Sequence, residues 1–246
     1  MSPNSNRKVC LFTGAGGPLG EMFCRMFGAH YDIVAVLGRR TPQIVTQHQW
    51  WVDPLMPNAP LAENSSGVFA VQADLNEEAD LRRVVEVTLA RFDRIDLLVN
   101  AAAVSYWAPM LDGGRLLENA LQQFETNVLL PLRLSCLVAE YFWRDREAEN
   151  RQYNRSVVNI SSTSGLYIYP GAGQSIYSAS KAALNYLSMH MGDEFSNIGV
   201  RVNALAPTSF PSLIPTETAA EALRRLAESD ANGRILILDV NGERWV

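Results

Sequence analysis

Basic charge, cysteine and histidine are all scarce in this chain, and each scarcity removes a class of function. Lysine and arginine total 21 against 26 aspartates and glutamates, a net charge of -5. With no basic field for a phosphate backbone, nucleic acid is not an expected partner. The cysteines are only Cys10, Cys24 and Cys136. Their number is odd, they have no pair spacing, and each lies in an apolar segment, which predicts buried reduced thiols and no disulfide framework. His30, His48 and His190 are scattered without ligand spacing, so no metal site is expected. No run of about 18 apolar residues could span a bilayer, and the opening MSPNSNRKVCLFTG lacks the apolar stretch of a signal peptide. A soluble, cytoplasmic protein without membrane partners is the expectation. Repeats, low-complexity tracts and Gly/Ser linkers are absent too, so residues 1–246 are expected to form a single domain.

What the sequence does contain is an alternation. Short β-rich apolar runs begin at Lys8, Ile33, Val68, Ile95, Ser156, Val200 and Arg234, separated by longer segments of helical period. Leu81, Val84, Val85 and Thr88 mark one helical face, and Leu184, Leu187, Met191 and Phe195 another. The pattern predicts an α/β fold with seven parallel strands and helices on both faces. Residues 41–67 break it: four prolines and the pair Trp50 and Trp51 predict an elaborated surface loop, either a tolerated insertion or a contact surface for a partner subunit.

Directly after the first strand comes TGAGGPLG, Thr13 to Gly20, opening the first helix. Gly14, Gly17 and Gly20 suit a tight turn, close backbone approach to a pyrophosphate, and close packing of helix on strand. The helix N-terminus then offers free N–H groups to phosphates. The second strand ends at Gly38, Arg39 and Arg40. An acidic residue there would accept from ribose hydroxyls, whereas two arginines suit a 2′-phosphate, so NADP is expected over NAD. Asp74 and Asn100 follow the third and fourth strands, at the strand ends where ligands bind in open α/β sheets.

In YSASK, Tyr177 and Lys181 are four residues apart on a predicted helix and share a face. Bringing a tyrosine from about 10 to near 7 takes about 4 kcal/mol. One ammonium about 4 Å away supplies roughly that at an effective dielectric near 20. Lys181 is therefore expected to lower the pKa of Tyr177 and make it an acid/base at neutral pH. Ser162, after the strand SVVNI, is placed to hydrogen-bond a substrate oxygen, with Ser161 as its rival. Pro131 cannot donate the helical hydrogen bond to the Asn127 carbonyl four residues earlier, which frees that carbonyl to hold a water.

Taken in order, TGAGGPLG, ADL around Asp74, VNAAA from Val99, ETN at Asn127, VNISSTSG, YSASK and RVNALAP ending at Pro207 resemble the classical short-chain dehydrogenase/reductase family from Lys8 to about Gly242. The resemblance implies a Rossmann-type doubly wound sheet and NAD(P)-dependent hydride transfer at a carbonyl or secondary alcohol. It implies Tyr177 as catalytic acid/base, Lys181 as its pKa modifier and a ligand of the nicotinamide ribose, Ser162 as the polarising hydroxyl, and Asn127 as holder of a relay water. It also extends the cofactor-binding set to Gly16, Leu19, Leu75, Ala101 and Pro207, and implies a homodimer or homotetramer.

The chain departs from the pattern at Pro18, Ala101, Ala103 and Thr208, where the family usually carries glycine or asparagine. Between Pro207 and the last strand there is room for one helix, near Thr216 to Glu228, so the substrate lid, about 208–216, is shortened. The expected partner is a small-molecule or carrier-bound carbonyl substrate. A pocket open to a bulky or carrier-bound substrate, a pocket covered by another subunit, or a non-catalytic dinucleotide-binding scaffold would each account for the short lid.

Overall fold

A computed structural model describes residues 7–38 and 67–246. Arg39, Arg40 and the tryptophan pair lie outside the described residues, and with them most of the 41–67 segment. The elements are β1 (Lys8–Thr13), α1 (Pro18–Phe27), β2 (Tyr31–Leu37), β3 (Val68–Gln72), α2 (Glu78–Phe92), β4 (Leu97–Asn100), α3 (Gly113–Phe124), α4 (Leu130–Val138) and α5 (Glu147–Gln152). Then come β5 (Ser156–Ile160), α6 (Ser175–Ser196), β6 (Arg201–Pro207), α7 (Thr216–Glu228), β7 (Ile235–Asp239) and β8 (Gly242–Trp245).

The strands form one sheet in the order β3-β2-β1-β4-β5-β6-β7-β8. β1 to β7 pair in parallel and, apart from the outer strand β3, are buried almost throughout, which is why they read as short apolar runs. Strand order reverses between β1 and β4, opening a crevice at their carboxyl ends where open α/β sheets bind ligands. Two apolar cores cover the faces. Phe23, Phe27, Leu223 and Leu226 of α1 and α7 pack on one side; Val84, Leu134 and Met191 of α2, α4 and α6 pack on the other. No helix among the described residues is long and apolar enough to cross a membrane.

Two expectations need correction. Among the described residues the sheet has eight strands, because β8 folds back antiparallel on β7, with Gly242 at φ +99°. Its sequence, GERW, is exposed along its length and so lacks the apolar signature of the others. Cys10 and Cys24 are buried, but Cys136 is exposed. On α4 the buried face belongs to Leu134, Leu137 and Val138, which turns position 136 outward.

At the amino ends of the strands sits a buried charge cluster. Asp96, just before β4, accepts from Val9 N–H at 2.9 Å and pairs with Arg94 at 2.7 Å and Arg155 at 3.2 Å. Arg155, just before β5 and 1% exposed, also donates to Asn150 Oδ1 at 2.7 Å and pairs with Glu149 at 2.5 Å.

Candidate active site

At the opposite ends of the same strands two cavities share a wall formed by Gly14, Ala101 and Ala103. The larger, of about 850 Å³, runs from the glycine turn past the ends of β2 and β3. The smaller, of about 300 Å³, reaches from α1 to the residues after β5 and β6.

The glycine turn is built as its sequence requires. Gly14 sits at φ +69°, and a Cβ on it would lie 2.7 Å from Ala102 N and 2.8 Å from the Ala101 carbonyl. A Cβ on Gly20 would meet the Ala15 backbone at 2.4 Å, so α1 touches the β1 turn main chain to main chain. Pro18, one departure from the family pattern, occupies the first turn of α1, where a proline lacks only an N–H that the helix leaves unpaired anyway. Thr13 ties the turn to its neighbour: its Oγ1 accepts from Ala101 N at 3.1 Å and Ala102 N at 3.3 Å and donates to Val99 O at 3.2 Å. Gly16, Gly17, Asp74, Leu75 and Ala101 line the larger cavity, and Leu19, Gly20 and Pro207 the smaller. The Asp74 carboxylate is held by Asn76, which donates from its backbone at 3.1 Å and its side chain at 2.8 Å.

Asn100 is placed differently. Its side chain points into the sheet, donating to Asn159 Oδ1 at 2.8 Å and Ser135 Oγ at 3.3 Å, and it lines neither cavity. Its part in cofactor binding would be indirect, through the neighbouring Ala101 and Ala102.

Ser162, Tyr177 and Lys181 meet in the smaller cavity. Both serines border the smaller cavity, and their hydroxyls separate them: Ser161 is buried and donates to the Lys181 carbonyl at 3.2 Å, whereas the hydroxyl of Ser162 reaches Tyr177. Ser162 Oγ accepts from Ser164 N–H at 3.1 Å, which leaves its own hydrogen for Tyr177. Gly165 sets this approach, because a Cβ there would lie 2.7 Å from the Lys181 carbonyl carbon, so the turn after β5 rests on the backbone of α6.

The electrostatics correct one expectation. Burial pushes the Tyr177 hydroxyl above its ordinary value, and the Ser162 hydrogen bond draws it back only in part. Lys181 does not lower it, since its Nζ lies 5.9 Å from the Tyr177 ring centre and donates to the Ile160 carbonyl at 2.7 Å. The lysine itself, 2% exposed, is held down to about 8 by burial. Burial thus favours the neutral phenol of Tyr177 over its phenolate.

Asn127 lies in a π turn, Glu125–Leu129, which ends two residues before Pro131. Its side chain is fully engaged, accepting from Val104 N at 2.8 Å and donating to Val104 O at 2.8 Å and Ser180 Oγ at 3.0 Å. It pins the segment after β4 against α6, and the sequence does not foretell that pairing. Gln174, also missed, lines the smaller cavity at the start of α6, three residues before Tyr177. Helical spacing from Tyr177 would have pointed to it.

A sequence profile described as short chain dehydrogenase matches residues 8–223. The chain belongs to that family. Similar curated proteins include the peroxisomal 2,4-dienoyl-CoA reductase of Arabidopsis thaliana, 28% identical over 205 residues that cover 81% of this chain and 63% of the relative. Another is the 3-oxoacyl-[acyl-carrier-protein] reductase of Thermotoga maritima, 26% identical over 224 residues, 89% of this chain and 82% of the relative. The chain spans about two thirds of the length of several such relatives, as with an uncharacterized oxidoreductase of Schizosaccharomyces pombe, of which 66% is covered. Among solved structures, a short chain dehydrogenase from Mycobacterium avium superposes with a TM-score of 0.74 at 19% identity, covering 98% of this chain and 84% of that one. A 4-hydroxyisoleucine dehydrogenase complexed with NADH and succinate gives 0.70 at 21% identity, covering 94% and 97%. Both support the Rossmann-type fold.

Proposed function

We propose that this short-chain dehydrogenase is a nicotinamide-dependent reductase of carbonyl compounds, or in reverse a dehydrogenase of secondary alcohols, with Tyr177 as its acid/base. The observation that carries the reading is the meeting of Ser162, Tyr177 and Lys181 in a cavity that shares a wall with the glycine-turn cavity. The turn fits a dinucleotide, since Gly14, Gly16 and Gly17 line the larger cavity with main chain alone and let a pyrophosphate approach closely. Gly14, Gly16, Gly17, Leu19 and Gly20 would hold the pyrophosphate, Asp74 and Leu75 the adenine end, and Lys181 and Pro207 the nicotinamide end. NADPH is the preferred cofactor on the sequence evidence of Arg39 and Arg40. When bound it supplies the hydride.

The residues of the chain do the rest. Ser162 and Tyr177 donate hydrogen bonds to the substrate carbonyl oxygen, polarising it, and Tyr177 gives up its proton as negative charge develops there. Burial keeps that proton on the phenol at neutral pH, which favours reduction; oxidation needs the phenolate and gains from alkaline pH. Lys181, which borders the same cavity, serves by holding the nicotinamide ribose rather than by charging Tyr177. Asn127 keeps the segment after β4 in register with α6, so that the cavity wall is fixed before substrate arrives. The same reading takes 1–246 as a single cytoplasmic domain that works as a homodimer or homotetramer.

A second reading is a dinucleotide-binding scaffold without turnover. Its support is the short connection over residues 208–215, which puts no helix of the described residues over the catalytic cavity. Titration with NADPH and NADH, followed by cofactor oxidation against a panel of carbonyl compounds, separates the two. Turnover that Tyr177→Phe lowers by about 10²–10⁴-fold supports the reductase. Binding without turnover supports the scaffold, and failure to bind either cofactor defeats both.

A further inference from the structure

The eighth strand, which the sequence pattern does not announce, reaches toward the catalytic cavity. β8 pairs antiparallel with β7, placing Arg244 opposite Ile237, and the hairpin between them fixes Asp239, whose carboxylate accepts from Asn241 N–H at 2.8 Å. Arg244 Nη1 donates to that carboxylate at 2.6 Å, and its Nη2 donates to Tyr167 Oη at 3.0 Å, with the guanidinium 5.7 Å from the Tyr167 ring centre. One planar fork thus joins the sheet edge to the segment between β5 and α6. Tyr167 lies five residues beyond Ser162, and the chain between them is folded on Thr163. Tyr167 N–H donates to the Thr163 carbonyl at 2.9 Å, Tyr169 Oη donates to Thr163 Oγ1 at 2.9 Å, and Thr163 itself is buried next to Ser162. The Arg244 side chain and Tyr167 are each 43% exposed, and contacts so exposed add little to stability. What they add is direction.

We infer that Arg244 is a positioning residue: from an edge strand outside the catalytic cavity it holds Tyr167, and through Tyr167 and Thr163 the turn that aims the Ser162 hydroxyl at the substrate oxygen. β8 thereby supports a wall of the cavity over which the short 208–215 connection puts no helix of the described residues. The inference rests on the reductase reading, because Ser162 needs aiming only where a carbonyl oxygen is polarised, and the two can fail separately.

The test takes whichever carbonyl compound of the panel above the wild type reduces best with NADPH, and measures kcat, the Kd of NADPH and the melting temperature in Arg244→Ala, Tyr167→Phe and the double variant. Each single variant should lower kcat about three- to fivefold, the size of one lost hydrogen bond, with NADPH affinity and melting temperature near the wild-type values. The double variant should fall no further than Arg244→Ala alone, because both changes cut the same link. In a Ser162→Ala background Arg244→Ala should cause no further loss, since the hydroxyl it aims is gone. An unchanged kcat in Arg244→Ala would overturn the assignment. So would a full additional loss in the Ser162→Ala background, or a fall in kcat matched by weaker NADPH binding, either of which would make β8 a general brace. Turnover of none of the panel by the wild type would count against the reductase reading and against this inference with it.

Discussion

The two ends of β5 treat buried charge in opposite ways. At its amino end Arg155, 1% exposed, is surrounded by Asp96, Glu149 and Asn150, and every side of the guanidinium is answered. At its carboxyl end Lys181, 2% exposed, has the Ile160 carbonyl and no carboxylate among the described residues. An unpaired buried ammonium costs free energy that a paired guanidinium recovers in part. The fold therefore keeps its compensated charge where the sheet needs tying together and its uncompensated charge where chemistry is proposed. Such spending on an unpaired group is expected at sites of function.

The largest effect should come from breaking the compensated end. Asp96→Ala leaves Arg155 and Arg94 without their shared carboxylate and should cost about 3–5 kcal/mol in urea unfolding, while turnover per folded molecule stays near the wild-type value. A loss below about 1 kcal/mol would erase the contrast. At the other end Ser162→Ala removes the hydroxyl that bonds Tyr177 and should lower kcat by about 10²-fold. Ser161→Ala, its buried neighbour, should lower kcat by less than tenfold, so equal effects would refute the assignment of the two serines. Gly165→Ala forces a methyl against the α6 backbone and should cost about 1–3 kcal/mol. Its kcat should fall further than its stability, because Ser162 and Tyr177 are pushed apart; thermal melts and turnover on the same sample check both.

The contrast also explains what the sequence could and could not disclose. The parallel strands were legible because all but the outer β3 are buried on both faces and read as short apolar runs, and α7 because its period and bounds are regular. β8 was not, because an exposed edge strand needs no apolar pattern and owes its place to a turn at Gly242. In the site, helical spacing disclosed Tyr177 and Lys181, and motif order disclosed Ser162. Contacts across the fold were hidden: Asn100 on Asn159, Asn127 on Val104, Gly165 against Lys181. The pKa of Tyr177 was misjudged for the same reason. Spacing says that two residues share a face; it does not say that one of them is turned to a strand carbonyl and the other buried.

The most direct test of the contrast is Lys181→Met, followed by urea unfolding from pH 7 to pH 10 together with turnover. In the folded protein the ammonium is held down to about 8, against about 10.4 in an unfolded chain. Below pH 8 the folded state therefore bears the full cost of the buried charge. Between those values the folded chain releases a proton that the unfolded chain retains, so wild-type stability rises with pH. After the orphaned Ile160 carbonyl is allowed for, the variant should be about 1 kcal/mol more stable than the wild type at pH 7. That advantage should vanish toward pH 10, and turnover should be lost by at least about 10²-fold. A variant less stable than the wild type at pH 7, or one that turns over substrate as the wild type does, would contradict the claim that this end of the sheet keeps an unpaired charge for catalysis.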